Sequence, residues 1–152
     1  MSRELSQELL TFLEKCPSSF HAIGEIAKEL EASGYERLEE SDAWKLETDG
    51  KYYVTRNDSS ILAFHIGNDL DNYSFNIAAS HSDFPTFKVK EKAGLEVKKK
   101  YMQLNTEGYG GMLCSTWFDR PLSVAGRVLV MEDGQLVTRL VNIDRDLVMI
   151  PS

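Results

Sequence analysis

The chain has 152 residues, enough for one ordinary domain or two small ones. With 42% hydrophobic and 27% charged residues it has the composition of a soluble globular protein, and its longest apolar run is far too short to cross a bilayer. A net charge of −7 without a large basic block excludes a nucleic-acid binder of the usual kind, since phosphate backbones attract cationic surfaces.

The opening stretch MSRELSQELL is polar and periodic, unlike a signal or transit peptide, which makes the cytoplasm the expected address. Leu5, Leu9, Phe12 and Leu13 recur at helical spacing until Pro17 ends the pattern. Ser18 or Ser19 can cap a second helix carrying Phe20, Ile23, Ala27 and Leu30 on one stripe, and Gly34 supplies its stop. Both helices are expected to bury one face against a sheet. The period then changes: Lys51 to Arg56 and Ser60 to Gly67 read as two strands joined by a turn at Asn57-Asp58. The run Phe75 to Ala79 lacks polar alternation, as expected of a central strand covered on both faces.

Beyond Pro85, Lys88, Lys90 and Lys92 occupy every second place of a strand with one face in water, and Val97 to Lys100 reads as a solvated strand end or loop. Glycines cluster at Gly108 to Gly111. Arg127 to Met131 and Leu136 to Val141 then form a hairpin about Glu132-Asp133-Gly134. The expected fold is α/β: N-terminal helices packed on a mixed sheet over residues 1–92, followed by a small β-rich unit over residues 93–152. The closing DRDLVMIPS ends on an apolar strand without a polar tail and reads as a β unit interrupted.

Two cysteines, Cys16 and Cys114, stand outside any Cys-x-x-Cys pair, so both read as reduced thiols. No Gly-x-Ser-x-Gly elbow accompanies the histidines, which argues against a self-contained nucleophilic triad. The chemistry of interest sits where the apolar run ends, in His81-Ser82-Asp83. Alternation along an extended backbone sends residues i and i+2 to one side, and a metal-bound imidazole needs its second nitrogen held, usually by a carboxylate. His81 therefore reads as a candidate metal ligand and Asp83 as its orienting acid, against the plainer alternative of a packed or surface histidine. His21, at the start of the second helix, reads as a packing or capping residue, and His65 as a strand residue facing solvent or a helix.

Several spaced blocks then resemble one family in the right order. CPSSFHA, AASHSDFPTFKVK and GYGGMLCSTWFDRPLSVAGRV are similar to landmark segments of the aspartyl aminopeptidase / aminopeptidase I family of zinc metallo-exopeptidases, N-terminal portion only. The resemblance implies a zinc exopeptidase catalytic domain, incomplete here, with an inserted β domain of the dimerisation type. It implies His81 as a zinc ligand, Asp83 as a catalytic residue orienting it, and two zinc ions in the full-length protein that activate a shared water. It also implies peptide substrates with a free, acidic N-terminus, homo-oligomers formed through the β domain, no nucleic acid and no membrane. Asp119 and Arg120 fall in the insertion, as an ion pair or interface contact. Phe84 departs from the family pattern, replacing a small polar residue beside the site. The remaining ligands lie outside these blocks, so the 152-residue chain alone is expected to bind zinc weakly and to hydrolyse nothing. The alternative is a non-catalytic self-association or regulatory module of the same descent.

Overall fold

The structure is a computed structural model and describes residues 2–152. The described residues form a mixed α/β chain of two α-helices and three small sheets, in the order α1 (Ser2–Glu14), α2 (Ser19–Ala32), β1 (Glu36–Arg37), β2 (Lys51–Arg56), β3 (Ser60–His65), β4 (Thr86–Val97), β5 (Tyr101–Tyr109), β6 (Ala125–Glu132) and β7 (Gln135–Asn142). Among the described residues no helix is long and apolar enough to cross a membrane.

Local rules set the ends of α2. Ser18 is its N-cap, its hydroxyl accepting from the His21 amide. At the other end Gly34 adopts φ +82, the Tyr35 amide donates to the Leu30 carbonyl, and the Gly34 amide donates to the Glu31 carbonyl. That pair of bonds is the Schellman closure, and glycine takes the left-handed position without a Cβ penalty.

Two compact units emerge. The first comprises the described residues through Ser82 together with Ser123–Arg145; the second comprises Asp83–Leu122 with Asp146–Ser152. In the first, β1 runs parallel to β2 and β2 antiparallel to β3, with β2 in the middle. Tyr52, Tyr53 and Val54 are consecutive and all buried, because a middle strand is covered on both faces. Tyr53 points at α2, where its hydroxyl donates to Glu31 Oε1 at 2.5 Å. Tyr52 faces the other way, against Phe64, on which Trp44 stacks at 6.1 Å. Its hydroxyl accepts from the Glu47 amide. Ala22 and Ile23 complete the contribution of α2 to this core.

The hairpin β6–β7 packs with α2 in this first unit, although the sequence groups it with everything after residue 92. Arg127 explains the placement. Its guanidinium lies 4.2 Å from the Phe20 ring centre and Nη1 donates to both the Asn57 carbonyl and Asn57 Oδ1. The expected boundary at residues 92/93 also falls inside the continuous strand β4.

In the second unit β4 and β5 form a long ribbon with an irregularity between Val89 and Gly94. Its tip carries Lys98 and Lys99 in the left-handed region, so the lysine cluster is a solvated turn as expected. Trp117 meets Phe87 edge-on at 5.4 Å, and single bridges join Phe118 to Ile150 and Leu122 to Val148. Asp119 and Arg120 do not pair with each other: Asp119 accepts from the Ser152 amide and Arg120 donates to the Thr116 carbonyl.

Two expectations need correction. The leucines of α1 (Leu5, Leu9, Leu10 and Leu13) are each more than half exposed, so no described sheet covers that face. The run Phe75 to Ala79 joins no ladder, and Phe75 and Ile77 are 79% and 85% exposed. A strand exists only through its neighbours, and none of the described strands pairs with it.

Candidate metal centre

Ser82 and Asp83, which follow His81, are each held within their own unit. Upstream of the unit boundary, the Ser82 hydroxyl donates to the Ser59 carbonyl at 3.0 Å, tying the segment to the β2–β3 turn. Downstream, Asp83 belongs to the second unit, where Tyr109 donates its phenolic O–H to Asp83 Oδ2 at 2.5 Å. The β4–β5 register sets this contact by placing Tyr109 opposite Thr86, three residues beyond Asp83. Gly110 follows with φ +74, and a Cβ there would lie 3.4 Å from Pro85 Cα. The positive φ rather than crowding favours glycine there, since the Pro85 atoms would lie at ordinary contact distance.

His81 and Asp83 are both exposed and Ser82 is half-buried. The Asp83 hydrogen bond, then the Asp83 charge and partial desolvation, push the Tyr109 phenol above its ordinary range. The other histidines are engaged elsewhere. His21 Nδ1 lies 2.7 Å from Ser18 Oγ, and burial lowers its pKa against a smaller opposing effect of Glu25. His65 Nε2 lies 2.8 Å from Asp49 Oδ1 on an exposed strand end. Burial chiefly, with Glu25 and Glu29 adding, raises the Cys16 thiol, whereas Cys114 is exposed.

A zinc ion takes at least three protein ligands. Among the described residues no group of three or more histidine, cysteine, aspartate or glutamate side chains could hold a metal ion. One imidazole with one carboxylate two residues on is part of a donor set.

Tyr109 is the residue that sequence reasoning missed. The signal was present in the glycines flanking it, Gly108, Gly110 and Gly111, because such a cluster marks close backbone approach.

Comparison with known proteins supplies the context. Residues 12–152 match the family described as aminopeptidase I zinc metalloprotease (M18). A probable M18 family aminopeptidase 2 of Pseudomonas aeruginosa is 44% identical over 153 residues, covering 100% of this chain and 35% of that protein. A chain in the cryo-EM structure of the Ape4 and Nbr1 complex is 41% identical with a TM-score of 0.91, covering 96% of this chain and 28% of that one. A chain of the S. cerevisiae mApe1 dodecamer is 28% identical with a TM-score of 0.83, over 97% and 35% respectively. The chain therefore spans about a third of the length of the curated relatives it matches. A match running from Phe12 to the last residue carries α2, the sheets and the His81-Ser82-Asp83 segment together, and the chain belongs to the aminopeptidase I zinc metalloprotease (M18) family.

Proposed function

We propose that this chain is the N-terminal portion of a zinc-dependent aminopeptidase that releases acidic N-terminal residues from peptides in the cytoplasm. The observation that carries the reading is the family match across residues 12–152, which includes the one His-x-Asp segment of the chain. In this reading His81 supplies an imidazole ligand and Asp83 is the catalytic residue that fixes its tautomer. The complete protein holds two zinc ions, which supply Lewis-acid chemistry and an activated water when bound. The helices, the β1–β3 sheet and the β6–β7 hairpin contribute to the catalytic domain, and the β4–β5 ribbon to an inserted β domain. The dodecameric S. cerevisiae relative supports a homo-oligomer; in this reading it is built through that domain.

The chain alone hydrolyses nothing in this reading, because its donor set falls short of three ligands. The test is a chimera in which this chain replaces the matching third of the P. aeruginosa relative, assayed on aspartyl and glutamyl anilides with zinc. The chimera turns over, the 152-residue chain does not, and His81→Ala lowers kcat in the chimera by at least about a thousandfold, the loss of a ligand to the reacting metal. Chimera activity indifferent to His81→Ala refutes the assignment.

A self-association module is the second reading, favoured by the exposed Phe75, Ile77 and α1 leucines. Light scattering that finds a monomer at high concentration removes it.

A further inference from the structure

We propose that the groove between α2 and the β6–β7 hairpin binds a free acidic amino acid, with Arg127 and Arg37 taking its two carboxylates and Asp58 its ammonium. Every residue lining the groove belongs to the first unit, and the cavity of about 180 Å³ has room for about six waters at bulk density. That volume suits one small metabolite. None of the lining residues belongs to the His81-Ser82-Asp83 segment.

Arg127 is half-buried, and among the described residues it has no carboxylate partner. Its guanidinium stacks on Phe20 and spends Nη1 on Asn57. The Nε–Nη2 edge, a fork matched to a carboxylate, is left unbonded among the described residues. Taking a charge out of water without a counter-ion is costly, and a carboxylate ligand offsets that cost. The stack and the two bonds to Asn57 also hold the fork in place before a ligand arrives. Arg37 lines the same groove. Its Nε lies 3.1 Å from Glu39 Oε1 in an exposed pair, the kind of contact a ligand displaces at little cost.

Asp58 alone is acidic among the described residues lining the groove. An inorganic anion meets its repulsion, whereas a ligand carrying its own ammonium group is attracted. Ile23, Ala27 and Leu140 supply an apolar floor for a short methylene stem. Two guanidiniums, one carboxylate and an apolar floor are the complement of a dicarboxylic α-amino acid. The aminopeptidase reading would make this ligand a product of the complete protein; binding is measured without turnover, so either can fail alone.

Two-dimensional NMR of the 15N-labelled 152-residue chain tests the proposal. L-glutamate is expected to shift the amides of Gly24, Ala27, Thr55 and Thr138 along saturable curves, with a Kd of about 1 mM or tighter. L-glutamine, lacking one carboxylate, and glutarate, lacking the ammonium, each bind about tenfold more weakly, as losing a charge-assisted hydrogen bond requires. Inorganic phosphate gives no saturable shift. Asp58→Asn keeps the left-handed turn at φ 50, which asparagine tolerates. It weakens glutamate by about tenfold and glutarate not at all. Arg37→Gln weakens both ligands. Arg127→Lys keeps the charge, loses the fork and weakens both as well; should it loosen the hairpin, the Asp58 and Arg37 variants decide. Absence of saturable shifts, phosphate as effective as glutamate, or an Asp58→Asn loss equal for glutamate and glutarate overturns the proposal.

Discussion

Tyr53 is the most exposing test of how the first unit is held together. It sits in the middle of β2 with 0% of its surface accessible, its ring between the sheet and α2 and its hydroxyl on Glu31. Tyr53→Phe keeps the ring and removes one hydrogen bond to a charged acceptor. Such bonds contribute about 1.5–3 kcal/mol, and Glu31 is exposed enough to recover water, so the lower end applies: about 1.5 kcal/mol. Tyr53→Ala also opens a cavity, at about 3–5 kcal/mol by analogy with other aromatic truncations. The described core holds only six buried apolar residues, Cys16, Ala22, Ile23, Tyr52, Tyr53 and Val54, so losing the largest approaches the whole stability of a small domain. Urea unfolding followed by far-ultraviolet circular dichroism reads both. With a slope of about 1–3 kcal/mol per molar urea, Tyr53→Phe lowers the midpoint by roughly 0.5–1.5 M, and Tyr53→Ala leaves little folded protein to titrate. Glu31→Gln combined with Tyr53→Phe closes a double-mutant cycle whose coupling is about 1 kcal/mol. A Tyr53→Phe midpoint indistinguishable from wild type, or strict additivity in the cycle, refutes the reasoning.

Native-state alkylation with iodoacetamide is expected to label Cys114 quickly and Cys16 only as the first unit opens, because burial keeps the Cys16 thiol protonated and out of reach; mass spectrometry after timed quenching reads the order. His21 has its pKa lowered by burial, so the unfolded chain binds the extra proton first. The stabilisation is complete above the ordinary histidine pKa of 6.5 and is lost as pH falls below it; urea midpoints measured from pH 8 to pH 5 fall accordingly in wild type and stay flatter in His21→Gln. Gly34→Ala forces an L side chain into φ +82 and costs about 1 kcal/mol, seen as a lower urea midpoint with the helix signal of the native state retained.

Features decided within a few residues could be read before any fold was known. Ser18 caps α2 and Gly34 closes it, because a cap needs only a side-chain oxygen and a permissive φ. The β2–β3 and β6–β7 hairpins turn where Asn57-Asp58 and Asp133-Gly134 predict, since these residues tolerate positive φ better than most. His81 and Asp83 were nominated by spacing and made specific by resemblance, which carries family chemistry but no coordinates.

Contacts between distant parts of the chain were not legible in this way. Periodicity predicted that α1 would bury its leucines and that Phe75 to Ala79 would be a central strand, yet both outcomes depend on partners that local pattern does not contain. The β6–β7 hairpin looked like a continuation of the β4–β5 ribbon until Arg127 tied it to Phe20 and Asn57. Tyr109 reached Asp83 only because a ladder folded 26 residues back on themselves. Sequence by itself determined the caps, the turns and the family of this protein, because each is written in neighbouring residues or in an inherited pattern. Tertiary structure alone decided which faces are covered and which donor meets the Asp83 carboxylate, because burial and hydrogen-bond geometry are properties of residues brought together from far apart.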